Sequence, residues 1–288
     1  MIENINIERL KNTAFSDVES FKKQINTITD KQVKQINNKE ILKNMLSLLD
    51  ITTLKDDDYK LSLEKIVAQT EYTIDNIRGY VAGLCVYSNL LPILNELYVP
   101  KQVKKVCVSG GFPTAQLSLN GKLNDIGFAL DNAADEIDVP INRGLFYENK
   151  DELALELKAM RRIIDTKPLV KFKVIIESGE LHSYLDVYSA SIMAMQCGAD
   201  FVKTSSGKVS RGADIYSSSV IMMAIKDFMQ QNHAKKIGFK VAGGVKTCEQ
   251  VLQYYSLMLY FFGEKYICKD TMRIGCSNLI NEIINYLK

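Results

Sequence analysis

DFVKTSSG, residues 200–207, is a short apolar run with a lysine, Lys203, in its middle and a Thr/Ser/Gly turn at its end. Runs of the same make recur on both sides of it. They are MLSLLDIT (45–52), GLCVYS (83–88), KKVCVSGG (104–111), DEIDVPIN (135–142), VKFKVIIES (170–178), IGFKVAGG (237–244) and RIGCS (273–277), which brings the total to eight. Their length and their Val/Ile content predict buried strands. The stretches between them, such as DELALELKAMRRIID (151–165) and AIKDFMQQNHAKK (224–236), carry apolar residues at helical spacing and are long enough to cross over a sheet. Eight strand–helix units in about 240 residues fit a (β/α)8 TIM barrel. Periodicity alone does not separate a closed barrel from an open doubly wound sheet. The count of eight favours the barrel.

Residues 1–45 have a different texture, polar and rich in Lys and Asn. Pairs such as Ile7/Leu10, Val18/Phe21, Ile25/Ile28 and Val33/Ile36 predict three or so amphipathic helices. No Pro/Ser/Gly linker divides residues 46–288, so the expectation is an N-terminal helical extension (1–45) on one barrel domain (46–288). In the 288 residues, 36 Lys+Arg against 34 Asp+Glu give a net charge of +2, which excludes the broad cationic field of a nucleic-acid binder. No apolar run approaches the length of a membrane span, and MIENINIERLKN (1–12) lacks the apolar segment of a signal peptide, so a cytoplasmic protein is expected. Six cysteines (Cys85, Cys107, Cys197, Cys248, Cys268, Cys276) form no CxxC pair, and His182 and His233 lie in no HExxH motif. Neither a metal nor a cofactor is expected. Chemistry is left to Lys, Asp, Glu, Ser or Cys.

In a barrel of this kind the active site lies at the C-terminal ends of the strands, and a charge inside the wall is costly unless it is paired. Four runs carry such a charge: Asp138, Lys173, Lys203 and Lys240, on expected strands four to seven. A single one would read as a strand-end charge reaching out to solvent; four together read as a site. A lysine amine is a nucleophile only when neutral, and an ordinary value near 10.4 leaves well under ~1% neutral at pH 7. A second ammonium and burial both favour the neutral form, and a fall of roughly three units raises its share about a thousandfold. The arrangement suits Schiff-base formation with a carbonyl substrate, with Asp138 moving protons. The turns TSSGK (204–208), AGG (242–244) and IGCSN (274–278) follow the last three strands, where backbone N–H groups make a phosphate site in many barrels; Lys208 and the Ser277 hydroxyl would assist. A sugar-phosphate aldehyde or ketone is the implied ligand.

The chain resembles the deoxyribose-phosphate aldolases, metal-free Schiff-base aldolases of deoxyribonucleoside breakdown. The likeness is carried by LLDITTLKDDD (48–58), GLCVYSN (83–89), ADEIDVPIN (134–142), KFKVIIESGEL (171–181), GADFVKTSSGK (198–208), GFKVAGGVKT (238–247) and RIGCSNL (273–279). It implies a TIM barrel that cleaves 2-deoxyribose 5-phosphate reversibly to glyceraldehyde 3-phosphate and acetaldehyde. Position by position, it makes Lys203 the Schiff-base lysine and Lys240 the neighbour that perturbs it. Asp138 becomes the proton shuttle, Lys173 its hydrogen-bonded partner, and Asp50 a first-strand carboxylate of the site. Thr52, Ser206, Gly207, Lys208, Gly243, Gly244, Gly275, Cys276, Ser277 and Asn278 become substrate contacts. Pro140 departs from the family's usual apolar residue and predicts that its strand ends or bulges there. Thr114 and Asn278 are further departures, and Cys85 reads as a packed thiol. Two other readings stay open: a transaldolase-like enzyme for another sugar phosphate, and a silent phosphate-binding barrel. A homodimer is the assembly to test.

Overall fold

The computed structural model describes residues 7–36, 38–232 and 235–288; the N-terminal stretch 1–6 and His233 lie outside them. Eight parallel strands close on themselves: β1 Leu49–Thr52, β2 Gly83–Tyr87, β3 Lys104–Val108, β4 Glu136–Pro140, β5 Lys171–Ile175, β6 Phe201–Lys203, β7 Gly238–Ala242 and β8 Met272–Cys276. Each pairs with its chain neighbours, and β8 returns to β1. All eight expected strands are present, and β4 ends at Pro140.

Strand alternation sorts the residues into two environments. Ile51, Leu84, Cys107, Ile137, Val139, Phe172, Val174, Val202, Phe239, Val241 and Ile274 point outward into the main apolar core beneath the helices. The residues between them point into the barrel, and many of these are charged. An inward glycine makes room for a large neighbour. A methyl on Gly238 would meet the Phe201 ring at 2.1 Å, so the ring fills space that only a missing side chain leaves.

Three helices precede the barrel: α1 Ile7–Ser16, α2 Val18–Gln35 and α3 Asn38–Leu46. Leu10, Ala14, Phe21, Ile25, Ile28, Ile41, Leu42 and Met45 bury one face against the barrel helices Tyr184–Gln196, Ile215–Gln231, Cys248–Phe262 and Leu279–Leu287. Val18, expected on that face, is exposed. A polar clamp adds to the apolar contact: Asp227 accepts from Lys11 Nζ at 2.8 Å and from the Tyr188 hydroxyl at 2.7 Å. Asp227→Ala should therefore cost about 1–3 kcal/mol. Urea denaturation would read the loss, and faster amide exchange confined to α1 would assign it to the clamp.

The helix expected over 224–236 starts earlier, at Ile215, and ends at Gln231. Ser217 through Ile225 are all buried, so this segment is wrapped on every side and shows no amphipathic rhythm from which to read it. A two-stranded hairpin, Glu71–Ile74 with Ile77–Tyr80, also lies between β1 and β2. Its turn is Asp75-Asn76, both at positive φ.

Candidate active site

The barrel interior holds a buried ion cluster. Asp50 comes from β1, Glu136 and Asp138 from β4, Lys173 from β5, Lys203 from β6, Lys240 from β7 and Arg273 from β8. Water does not solvate these charges, so each needs a partner within the wall. Asp138 is the hub. Its Oδ2 accepts from Lys203 Nζ and from Lys240 Nζ, each at 2.8 Å, and its Oδ1 accepts from Lys173 Nζ at 3.0 Å. Because the two amines share one oxygen, their nitrogens are separated by no more than twice that distance.

A second carboxylate stands behind the first. Asp50 accepts from Lys240 on one oxygen and from Arg273 on the other. Arg273 also donates to Glu136 at 2.5 Å, and the other Glu136 oxygen pairs with Lys173 Nζ at 2.5 Å. Lys240 thus has two carboxylate partners and Lys173 three, since Asp50 lies 3.6 Å from its amine. Among the described residues Lys203 pairs with Asp138 alone, and it keeps 3% exposure where the other two lysines have none.

Burial opposes all these charges, and the partners decide the outcome. It pushes Asp138 up, but Lys173, Lys203 and Lys240 hold its carboxyl well below the usual range. Asp50 is likewise driven up by burial and brought far down by Arg273, Lys240 and Lys173. For Lys240, burial favours loss of the proton, yet Asp138 and Asp50 outweigh it and keep the amine above its ordinary value. The crowding of ammonium groups is therefore not reciprocal: Lys240 is held charged by its carboxylates and does not share in an easier deprotonation.

The mouth is built by loops after adjacent strands. Thr52, in phase with Asp50 at the end of β1, donates to the Asp50 carbonyl at 2.9 Å. After β6, Ser206 N–H donates to Glu177 Oε1 at 3.0 Å, and Lys208 N–H donates to Ser206 Oγ at 3.1 Å. Lys208 Nζ reaches across the opening to the Leu54 carbonyl at 2.5 Å. Gly207, Gly243 and Gly244 all have positive φ, and a methyl on Gly212 would meet the Gly243 carbonyl at 2.1 Å. The β6 and β7 loops therefore touch backbone to backbone, which only glycine permits. Ser277 and Asn278 are exposed at the start of the helix Leu279–Leu287. Ser206, Gly207, Lys208, Gly243, Gly244, Ser277 and Asn278 thus share one rim. Gly275 and Cys276 lie within β8 itself. Gly275 faces inward, where a methyl would stand 3.5 Å from Lys240 Cε, and Cys276 packs in the outer core, its thiol pushed up to about 12 by burial. Opposite the lysines, Cys85, Val106 and Val108 form an apolar wall with Leu54, Tyr87 and Phe112. Among the described residues no cluster of three or more His, Cys, Asp or Glu could hold a metal ion.

Deoxyribose-phosphate aldolase from Mus musculus is 33% identical over 251 residues, which cover 83% of this chain and 78% of the mouse protein. The chain belongs to the deoxyribose-phosphate aldolase family. The human enzyme of that name matches at 32% identity with the same coverage. The tetrameric aldolase of Aeropyrum pernix superposes with a TM-score of 0.64 at 19% identity, covering 90% of this chain and 96% of that one, a likeness of fold. No family model matches the sequence. Against the family's motifs, the structure brings Asp50, Asp138, Lys173, Lys203 and Lys240 into one contact network. It adds two members that the motif reading passed over, Glu136 and Arg273. Both were visible as charges in phase with inward residues, Glu136 two before Asp138 and Arg273 two before Gly275.

Proposed function

We propose that this chain is a class I aldolase that cleaves 2-deoxyribose 5-phosphate to glyceraldehyde 3-phosphate and acetaldehyde, with Lys203 as the nucleophile. The observation that carries the reading is the single Asp138 oxygen shared by the amines of Lys203 and Lys240. A neutral Lys203 amine adds to C1 of the open-chain sugar, and loss of water leaves an iminium. A base removes the proton of the C3 hydroxyl, the C2–C3 bond breaks, and its electron pair enters the iminium to give an enamine. Glyceraldehyde 3-phosphate departs. Protonation at C2 and addition of water then release acetaldehyde and restore the amine. Asp138, within hydrogen-bond reach of the reacting nitrogen, moves these protons, directly or through one water. Lys240, held as an ammonium, sets a fixed positive charge against the same Asp138 oxygen that Lys203 contacts.

The glycine turns after β6 and β7, Lys208, and Ser277 at the helix start are suited to the phosphate, because backbone N–H groups at turns and helix starts, with a nearby cation, are the groups that bind phosphate. The wall of Cys85, Val106 and Val108 suits the two-carbon aldehyde fragment. The protein's partner in this reading is a small phosphorylated sugar, and its setting the cytoplasm, in keeping with six free cysteines. A homodimer is the assembly that light scattering would check.

A coupled assay of acetaldehyde release from 2-deoxyribose 5-phosphate tests the whole. Cleavage unaffected by EDTA is expected; full inhibition by the chelator would contradict a lysine-based mechanism. Transfer of the fragment to an acceptor without release would point to a transaldolase. Lys240→Leu should cut kcat by about 10²–10⁴-fold while the fold survives, since Asp138 keeps two cations. Wild-type turnover in that variant would contradict its role.

A further inference from the structure

The balance of charge inside the barrel points to a task for Arg273 that builds on the aldolase reading. The titratable and charged groups facing one another there come from every strand but one. Asp50 lies on β1, the Cys85 thiol on β2, Glu136 and Asp138 on β4, Lys173 on β5, Lys203 on β6, Lys240 on β7 and Arg273 on β8; β3 contributes Val106 and Val108. The Cys85 thiol is pushed up by burial and stays neutral. Glu177, also buried, is turned to the Ser206 amide at the rim. Fully ionised, the cluster would hold three carboxylates against four cations, one positive charge in excess.

A guanidinium does not give up its proton in a protein, whereas an ammonium can. A lysine is therefore the group through which the excess can be relieved. Arg273 sits between Asp50 and Glu136, bound to both and 1% exposed. It thereby consumes carboxylate charge that the lysines would otherwise share. We infer that Arg273 is a positioning residue that sets the protonation of the catalytic cluster: its permanent charge leaves three lysines with only two carboxylates' worth of compensation, so one lysine is held as the free amine. That lysine is the one with the fewest carboxylate partners among the described residues, Lys203. Without Arg273, three ammonium groups would balance three carboxylates and no lysine would need to be neutral.

The test compares Arg273→Met, Arg273→Lys and Glu136→Gln with the wild type. The readout is the pH dependence of borohydride trapping of acetaldehyde on Lys203, in which imine formation releases water and hydride reduction leaves an N-ethyl lysine. It is paired with the pH profile of kcat/KM for sugar-phosphate cleavage. Arg273→Met should move the acid limb of both profiles upward by roughly one to three pH units, because a neighbouring cation is lost. Glu136→Gln, which removes a carboxylate and keeps its shape, should move the limb the other way. Arg273→Lys should restore it toward the wild-type position. A purely structural role would lower the rates and leave the limb in place, and an unmoved limb in Glu136→Gln overturns the inference even if Arg273→Met does not fold. Limbs that move in the same direction in both overturn it as well. A wild-type protein that is trapped at Lys203 but does not cleave the sugar phosphate would refute the proposed substrate and leave this inference standing. Wild type with no adduct at Lys203 would refute both.

Discussion

Lys203→Ala is expected to abolish acetaldehyde release, with a fall in kcat on the order of 10⁴ or more, and to eliminate the borohydride adduct. The expectation rests on chemistry more than on packing. Removing the side chain takes one of three cations from Asp138, and Lys173 and Lys240 remain on it, so the carboxylate stays compensated. Lys203→Arg sharpens the experiment. It keeps a charge that can bind Asp138 but offers no neutral amine at any working pH. If the loss reflects a missing nucleophile, the two variants fail alike. Substantial turnover in Lys203→Arg, or a peptide map placing the adduct on another lysine, would displace Lys203 from its proposed role.

Asp138→Leu should damage both activity and stability. The substitution strips the shared counter-ion from three buried or nearly buried lysines, and an uncompensated charge in such a place costs about 3–5 kcal/mol. Turnover should fall by about 10²–10⁴-fold through loss of proton transfer. The pH dependence carries a sign. The folded Asp138 carboxyl is held well below its unfolded value of about 3.9, so its ion pairs contribute fully above that value. Their contribution is lost as the pH falls from there toward the folded value. Wild-type stability should therefore drop in acid, while Asp138→Leu, weaker at neutrality, should show a shallower decline below about pH 4. Urea midpoints at pH 7 and in acid measure both effects. Parallel declines would separate Asp138 from the acid response.

The barrel was legible because its strands are short, apolar and punctuated by glycine, and all eight runs form strands. The reacting groups were legible for the opposite reason, as charges where a buried strand has none. Glu136 and Arg273 escaped notice because each stands at the start of its run, where a charge reads as solvent-facing. Only closure of the barrel turns Arg273 toward Asp50. The mutual weakening expected of the ammonium groups failed at Lys240, because the carboxylates that answer it come from two distant segments, residues 50 and 138. Leu54 and Phe112, in the apolar wall, lie in loops without periodicity, so nothing in their spacing marks them. The helix Ile215–Gln231 was half hidden by the completeness of its burial.

The placing of α1, α2 and α3 bears on how the chain comes into being. During synthesis these helices leave the ribosome before the barrel does, yet the helices that receive them begin at Tyr184 and end at Leu287. Phe21, Ile25, Ile28 and Leu42 must wait, uncovered, until most of the polypeptide has emerged. For that interval the nascent segment offers an oily stripe to any passing surface, the kind of exposure that makes incompletely folded chains prone to aggregate.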